Sequence, residues 1–294
     1  MRSLLFVPAD SPKKLDKSLG AGADAVIVDL EDSISPEHKA GARASALAFL
    51  REATTVTERP KLYVRVNGIA TGLTDADLDV IVGGRPDGIL LPKADGGAAV
   101  MHVDAKLAAR EAMAGIPDGH IKVVAMGIET ANGLFLAGTF RQSSARLVGL
   151  TWGAEDLSAE IGAEANRDAE GRYTELYLLA RSLCLAGAAA AQVQAIDTVY
   201  IDFRDNGGLR RDTEDGRRDG FTGKMAIHPA QVPIINEVFT PTPAAIAHAK
   251  AIVAAFAAQP GAGVVGLDGV MLDRPHLLRA QQLLARAAQP TAAD

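Results

Sequence analysis

The chain has 294 residues, of which 48% are hydrophobic and 22% charged, and its 30 Lys and Arg against 36 Asp and Glu give a formal net charge of −6. This composition is typical of a globular protein with a large core, and it excludes intrinsic disorder, collagen and coiled coil. An acidic balance with no basic run also excludes the kind of surface that binds nucleic acid or anionic membranes.

Short runs rich in β-branched residues alternate with helical patterns over the first 240 residues. We predict strands at residues 3–7, 25–29, 61–66, 88–91, 122–128, 146–150, 195–200 and 224–227. Helices are predicted at residues 13–19, 36–50, 74–82, 98–114, from 132, 174–191, 212–219 and 229–238. Continuous apolar runs are typical of parallel strands that are buried on both faces. Eight such units predict an α/β fold, a (βα)₈ TIM-type barrel. A doubly wound open sheet is the alternative, but no Gly-x-Gly-x-x-Gly follows the first strand.

The remaining residues exceed what eight strand–helix units need. A Pro-Thr-Pro boundary at 241–243 precedes a helix at 244–258, a Gly-rich turn with a short strand at 261–271, and a helix at 275–287. We therefore predict two domains: a barrel domain over residues 1–240 that carries the functional site, and a helical extension over 241–294. The apolar face of the extension is predicted to pack on a neighbouring subunit.

Cys184 is the only cysteine, so the chain can form neither an intrachain disulfide nor a cysteine metal cluster. It lies in an Ala- and Leu-rich helical stretch and is predicted to be a buried, inert thiol. Trp152 is predicted to serve packing, and the charged run at 204–219 to be a solvated loop or lid. The first apolar run is too short for a signal peptide, and no run approaches ~20 apolar residues, so we expect a cytoplasmic protein without a transmembrane helix.

Polar residues follow almost every predicted strand, at the end where barrels of this type hold their sites. They are Asp29, Glu31, Asp32, Arg65, Asn67, Lys93, Glu129, Glu155, Asp156, Asp202 and His228. So many carboxylates at one rim need a counter-charge, and oxygen ligands favour Mg²⁺ or Mn²⁺ over zinc. Glu129 and Asp156, on successive strand ends, are the natural ligand pair. Arg65 indicates recognition of a carboxylate or an oxyanion. The residues alone thus predict a Mg²⁺-dependent barrel enzyme acting on a small carboxylate.

Nine motifs in order over nearly the whole chain resemble the citrate lyase β-subunit family, which includes citryl-, malyl- and citramalyl-CoA lyases. They are LFVP at 5–8, VDLED at 28–32, VRVN at 64–67, PK at 92–93, IET at 128–130, GAEDL at 153–157, DFRD at 202–205, GKMAIHP at 223–229 and DGVMLD at 268–273. The resemblance implies a (βα)₈ barrel whose C-terminal extension packs on a neighbour in a homotrimer or hexamer.

The resemblance also implies roles for individual residues. Mg²⁺ would be held by Glu129 and Asp156, and Arg65 would bind the keto-acid end of the substrate. Glu31 and Asp32 would hold metal-bound waters and Arg65. The family's catalytic Asp on the extension maps to Asp273, with Asp268 as the second choice. The thioester arm would lie along residues 8–14 and 223–228, where Lys13, Lys14, Gly223, Lys224 and His228 are candidate contacts. Val-Pro-Ala-Asp-Ser at 7–11 stands where many members have Val-Pro-Gly, a departure that concerns the thioester contacts expected at residues 8–10.

The implied activity is Mg²⁺-dependent cleavage of the carbon–carbon bond of a 3-hydroxyacyl thioester into an acetyl thioester and a 2-keto acid. The sequence does not name the keto acid (glyoxylate, pyruvate or oxaloacetate), the thioester carrier (CoA or acyl carrier protein), or any α and γ lyase subunits as partners. Asp29, Glu31, Asp32 and Lys93 are open between a role in the site and a structural ion pair. Two other functions stay open, a class II aldolase acting on free keto acids and a non-catalytic or regulatory family member.

Overall fold

The computed structural model describes residues 1–288, and eight parallel strands in it close into a barrel in sequence order. The strands are β1 (Ser3–Pro8), β2 (Ala25–Asp29), β3 (Lys61–Arg65), β4 (Gly88–Leu91), β5 (Lys122–Ile128), β6 (Leu147–Trp152), β7 (Gln194–Asp197) and β8 (Gly223–Ala226). The barrel closes because β1 pairs with β2 on one side and with β8 on the other. The predicted (βα)₈ barrel is therefore confirmed, and the open sheet is excluded.

In the part of the chain that the structure describes, nine α-helices accompany these strands, including two short ones that follow the ends of β5 and β6. They are α1 (Pro12–Ser18), α2 (Lys39–Ala53), α3 (Thr74–Ile81), α4 (Gly97–Met113), α5 (Ala131–Leu136), α6 (Ala154–Ile161), α7 (Glu175–Ala191), α8 (Asn206–Asp219) and α9 (Val232–Phe239). Helix α6 was not among the predicted helices. None of the helices within residues 1–288 is long and apolar enough to cross a membrane.

Helix α8 occupies most of the segment that was predicted to be a solvated loop or lid. The Asp205 side chain accepts a hydrogen bond from the backbone N–H of Gly208 and so begins the helix. The inner face of α8 buries Leu209, Asp212 and Thr213. The helix predicted at 212–219 therefore begins earlier, at Asn206, and the prediction of a solvated loop is wrong because the charged residues cover only the outer face of an amphipathic helix.

The inside of the barrel is filled by alternate residues of the strands. The buried cluster consists of Leu4, Ala25, Ile27, Tyr63, Leu90, Val124, Met126, Ile196 and Met225. Gly88 makes room for the largest of these, because a Cβ at this position would lie 2.3 Å from Cε1 of Tyr63. The predicted burial of Cys184 is also confirmed, since its side chain lies on the buried face of α7 and is fully enclosed.

A buried ion cluster joins β6, β7 and β8. Strand β7 ends at Asp197, which accepts hydrogen bonds from Trp152 Nε1 at 2.8 Å and from Arg181 Nη2 at 2.6 Å. Lys224 Nζ lies 3.1 Å from Asp197 Oδ2 and 2.7 Å from Asp212 Oδ2. Burial opposes the ionisation of Asp197, but the charges of Lys224 and Arg181 outweigh it and hold the pKa of Asp197 well below its usual range. Asp197 is therefore the anion that the two buried cations, Lys224 and Arg181, share.

Asp197→Asn is expected to lower the free energy of unfolding at pH 7 by about 3–5 kcal/mol, because it leaves those buried cations undercompensated. Since the pKa of Asp197 is lower in the folded chain, its stabilisation is present above pH ~4 and is lost as the pH falls below that value. Urea titrations at pH 7 and at acidic pH measure the difference, with Asp168→Asn in an exposed pair with Arg172 as the control. A difference below about 1 kcal/mol at pH 7 would contradict the role given to Asp197.

The chain divides into two compact units, Met1–Asn236 and a second that begins at Glu237, four residues before the predicted position. The second unit contains α10 (Pro243–Ala257), β9 (Val264–Leu267), β10 (Val270–Asp273) and α11 (Arg274–Ala287) around its own core. The predicted single strand is a hairpin, because Asp268 and Gly269 form a two-residue turn with φ of 50° and 78°. Val264, Val270, Met271 and Leu278 are exposed. Packing of this unit on a neighbouring subunit stays a prediction, and residues 289–294 of the predicted extension lie outside the described residues.

Candidate active site

A cavity of about 290 Å³ opens where the strands of the barrel end. Phe6, Met126 and Met225 give it an apolar lining that continues into the core of the barrel. Asp29, Arg65, Glu155 and Asp156 supply its charged lining, and Gly153 also borders it. The site therefore combines an apolar base with a few charged groups, which is the usual character of a small-molecule site.

Arg65, at the end of β3, is held in one orientation by its neighbours. Its Nε and Nη2 each donate to a carboxylate oxygen of Asp29 at 2.7 Å, and its Nη1 lies 2.9 Å from Glu31 Oε2. The guanidinium also sits over the ring of Phe6, 4.9 Å from its centroid. Burial opposes the charge on Arg65, but the surrounding carboxylates outweigh burial and raise its pKa, so that the side chain stays cationic. Asp29 is thus a structural partner of Arg65.

Glu129, immediately after β5, is a buried carboxylate beside a second carboxylate. The backbone N–H of Lys93 donates to Glu129 Oε1. Burial and the neighbouring charge of Asp156 raise the pKa of Glu129 to about 8. Gly153 gives the carboxylate its space, because a Cβ there would lie 2.6 Å from Glu129 Oε2. The side chain of Asp156, in the first turn of α6, is 29% exposed and lines the cavity.

This pair of carboxylates fits a magnesium ion. Within residues 1–288, no group of three or more His, Cys, Asp or Glu side chains is arranged to hold a metal. Mg²⁺ needs fewer protein ligands than such a group supplies, because it usually keeps several waters and takes one or two carboxylates together with substrate oxygens. A divalent cation would also offset the mutual repulsion that raises the pKa of Glu129.

Lys93 lies between the ion pairs of Arg65 and the carboxylate pair of Glu129 and Asp156. Its Nζ is 2.8 Å from Glu31 Oε1, 3.1 Å from Asp156 Oδ1 and 3.8 Å from Asp32 Oδ2. Asp32 also lies 3.8 Å from Arg65 Nη1 and is largely exposed. The structure thus brings Arg65, Glu31, Asp32, Glu129 and Asp156 together. The sequence left open whether Lys93 acts in the site or in a structural ion pair. It did not identify Gly153 as the residue that makes room for Glu129.

The residues predicted along a thioester arm divide into two groups. Lys13 and Lys14 are exposed on α1, and His228 is exposed with its ring stacked on Phe203 at a centroid distance of 4.7 Å. The predictions for Gly223 and Lys224 are wrong. Lys224 is fully buried in the ion cluster with Asp197. Gly223 is at the start of β8, where a Cβ would lie 2.3 Å from the carbonyl oxygen of Met1.

Two further residues from the sequence prediction, Asp202 and Asp273, lie in different parts of the structure. Asp202 does not end a strand, because β7 stops at Asp197, and Asp202 is exposed in the loop beyond it. Asp273 belongs to the second unit, where it is the N-terminal cap of α11 and its carboxylate pairs with His276 Nδ1. Its predicted position in the site of a neighbouring subunit stays a prediction.

The chain is similar to known proteins over nearly its full length. Residues 2–229 match the family model described as HpcH/HpaI aldolase/citrate lyase. The chain is 37% identical to a (3S)-malyl-CoA thioesterase of Cereibacter sphaeroides, over 97% of this chain and 94% of that protein. It is 34% identical to the mitochondrial citramalyl-CoA lyase of Rattus norvegicus, over 97% of this chain and 86% of that protein. A solved structure of CitE from Mycobacterium tuberculosis, in complex with magnesium, acetoacetate and coenzyme A, aligns with a TM-score of 0.78 at 32% identity and covers 98% of this chain and 100% of its own.

Proposed function

This chain belongs to the HpcH/HpaI aldolase/citrate lyase family, and we propose that it is a Mg²⁺-dependent lyase that cleaves a 3-hydroxyacyl thioester of the citryl-, malyl- or citramalyl-CoA type. The products are an acetyl thioester and a 2-keto acid. The observation that carries the proposal is that Arg65 and Asp156 line one cavity and that the buried Glu129 carboxylate lies against Gly153 in its wall. A cation site and a fixed guanidinium together suit a substrate that bears a carboxylate and develops an enolate.

Glu129 and Asp156 would hold the metal. When bound, Mg²⁺ supplies Lewis-acid polarisation of the oxygen on the carbon that becomes the keto group. Gly153 supports this assignment, because any larger residue would displace the Glu129 carboxylate. The binding of magnesium by CitE supports the choice of metal.

Arg65 would bind the carboxylate of the keto-acid portion and stabilise the charge that develops during cleavage. The bond between the hydroxyl carbon and the carbon next to the thioester breaks, and its electron pair passes to the thioester enolate. The hydroxyl proton passes to solvent as the keto group forms, and an acid, which solvent then reprotonates, protonates the enolate carbon. We assign that acid to Asp273 of a neighbouring subunit in a homotrimer or hexamer. Because Asp29 and Glu31 fix the guanidinium beforehand, little reorganisation is needed as the charge develops.

Hydrolysis of the thioester bond is a second candidate, and the similarity to the (3S)-malyl-CoA thioesterase favours it. It would use the same cavity and cation. A class II aldolase acting on free keto acids has less support, because CitE, which is similar over almost the whole chain, binds coenzyme A. A non-catalytic role also has less support, since both carboxylates of the metal pair are present.

The condensation direction tests the lyase proposal and identifies the keto acid. The protein is mixed with Mg²⁺, acetyl-CoA and, separately, glyoxylate, pyruvate or oxaloacetate, and the acyl-CoA products are identified by mass spectrometry. We expect one of the acids to give a 3-hydroxyacyl-CoA. An acetyl thioester of acyl carrier protein replaces acetyl-CoA in a parallel series. Absence of a condensation product with every acid and both carriers would contradict the proposal.

Arg65→Lys is expected to lower kcat/KM by about 10²–10³, which corresponds to about 3–4 kcal/mol of lost transition-state stabilisation. The substitution keeps the charge, but it loses the planar fork that Asp29 and Glu31 hold in place. Steady-state kinetics on the substrate found above measure the change. Arg110→Lys, in an ion pair with Asp79 on the surface, is the control and should retain the wild-type rate. A reduction below tenfold in Arg65→Lys would mean that Arg65 has only a structural role.

A further inference from the structure

Lys93 contacts four acidic side chains of the proposed metal site and its immediate surroundings. Its Nζ is within 3.1 Å of both Glu31 and Asp156 and 3.8 Å from Asp32, while its backbone N–H donates to Glu129. Arg65, the other cation here, already uses Nε and Nη2 on Asp29. Lys93 is therefore the cation that balances the carboxylates on the Glu129 and Asp156 side of the site.

The backbone of Lys93 adopts a conformation that residues with a Cβ disfavour. Its φ is 47°, in the left-handed region. This conformation lets one residue point its N–H at Glu129 and its side chain at Glu31 and Asp156. The next residue is held in place because the N–H of Ala94 donates to the carbonyl of Met126 on β5 at 3.1 Å. Disfavoured conformations of this kind concentrate at functional sites, where the surrounding structure enforces them.

From this geometry we propose that Lys93 is a tethered counter-cation, which neutralises Asp156 in the metal-free site and yields Asp156 to the divalent cation when it binds. The inference rests on the proposed function, in that Glu129 and Asp156 are taken as the metal ligands. The Lys93 ammonium contacts Asp156 Oδ1, one of the two oxygens through which this residue could bind a metal at 2.0–2.1 Å. The ammonium and the divalent cation therefore compete for the same carboxylate.

Other carboxylates can pair with the Lys93 ammonium when it leaves Asp156. Its side chain is 38% exposed on a flexible four-carbon stem, and Glu31 Oε1 stays within reach at 2.8 Å. Asp32, with a side chain that is 58% exposed, is a second acceptor close by. The ammonium can leave Asp156 without leaving the acidic cluster. Lys93 thus weakens metal binding by competition and stabilises the site while the metal is absent.

The test compares three substitutions at this position. Lys93→Met removes the charge and keeps much of the length of the side chain. Lys93→Gly removes the whole side chain but keeps the backbone N–H on Glu129 and tolerates a positive φ. Lys93→Arg keeps the charge. Mg²⁺ affinity is measured by calorimetry, and the melting temperature is measured with EDTA and with saturating Mg²⁺. Lys106→Met, at an ion pair with Asp75 outside the site, is the matched control.

We expect Lys93→Met and Lys93→Gly to bind Mg²⁺ at least tenfold more tightly than the wild type and to show a larger rise in melting temperature on Mg²⁺ addition. Lys93→Arg and Lys106→Met should bind with wild-type affinity. Unchanged or weaker binding in both Lys93→Met and Lys93→Gly would overturn the inference. Glu129→Gln is titrated in parallel. If it keeps wild-type affinity, the metal assignment itself has failed. If it loses binding while the Lys93 variants show no gain, only the role of Lys93 has failed.

Discussion

Glu129→Gln is expected to abolish detectable Mg²⁺ binding and to lower Mg²⁺-dependent turnover by at least about 10³. This loss is the scale expected when several kcal/mol of Lewis-acid stabilisation are removed. The amide keeps the shape of the carboxylate and its contact with the Lys93 N–H, but it carries no negative charge for the metal. Burial already opposes the ionisation of Glu129, so the neutral amide should leave the melting temperature of the metal-free protein at or above the wild-type value.

Calorimetric titration with Mg²⁺ measures this effect directly, and Asp156→Asn should give the same loss. The adjacent Glu155→Gln is the matched control, because the Glu155 carboxylate accepts from Asn166 Nδ2 at 2.8 Å and is not assigned to the metal. This variant should bind Mg²⁺ like the wild type. Wild-type affinity in both Glu129→Gln and Asp156→Asn would contradict the assignment of the metal pair.

Asp273→Asn is expected to assemble and bind Mg²⁺ normally but to lose more than the ~10² in turnover that a general acid or base typically contributes. Asp273 is exposed at the start of α11, on a hairpin whose neighbours Val270 and Met271 are also exposed. An exposed apolar surface beside an acid suits a place in a neighbouring subunit's site. Asp268→Asn is the control, since Asp268 occupies a turn with φ of 50° that Asn tolerates equally well.

Mixing two inactive proteins tests whether the site is shared between chains. Glu129→Gln and Asp273→Asn are combined through reversible dissociation, so that some sites receive an intact Glu129 from one chain and an intact Asp273 from another. Recovery of part of the wild-type activity is the expected result. If native mass spectrometry shows mixed oligomers but no activity returns, Asp273 does not act across a subunit boundary.

The sequence predicts the barrel well where strands are continuous buried runs. The bounds of β2, β4 and β5 agree with the prediction, because apolar residues on both faces distinguish them from the loops around them. Strand β7 was predicted three residues too long, since Thr198, Val199 and Tyr200 continue the pattern of β-branched and aromatic residues after the chain has left the sheet. The hairpin in the second unit was predicted as a single strand, although Asp268-Gly269 is a recognisable turn signal.

The site was predictable where each residue follows a strand, and less so where a role depends on contacts distant in sequence. Arg65, Glu129 and Asp156 follow three strands and are found together at the rim. Lys224 belongs to the GKMAIHP motif, as the predicted rim residue His228 does. Its burial, however, depends on Asp197 and Asp212, which lie 27 and 12 residues earlier. The place of Lys93 depends on its positive φ, which its sequence context does not indicate.

The most direct test of carbon–carbon cleavage identifies the bond that breaks in the acyl-CoA. The protein is incubated with citryl-, malyl- or citramalyl-CoA, with Mg²⁺ or with EDTA, and the products are quantified by mass spectrometry. We predict that acetyl-CoA and the matching 2-keto acid form in equal amounts with Mg²⁺ and that neither forms with EDTA. Free CoA together with the intact hydroxy acid, without any keto acid, would contradict the account and make hydrolysis of the thioester the reaction of this site.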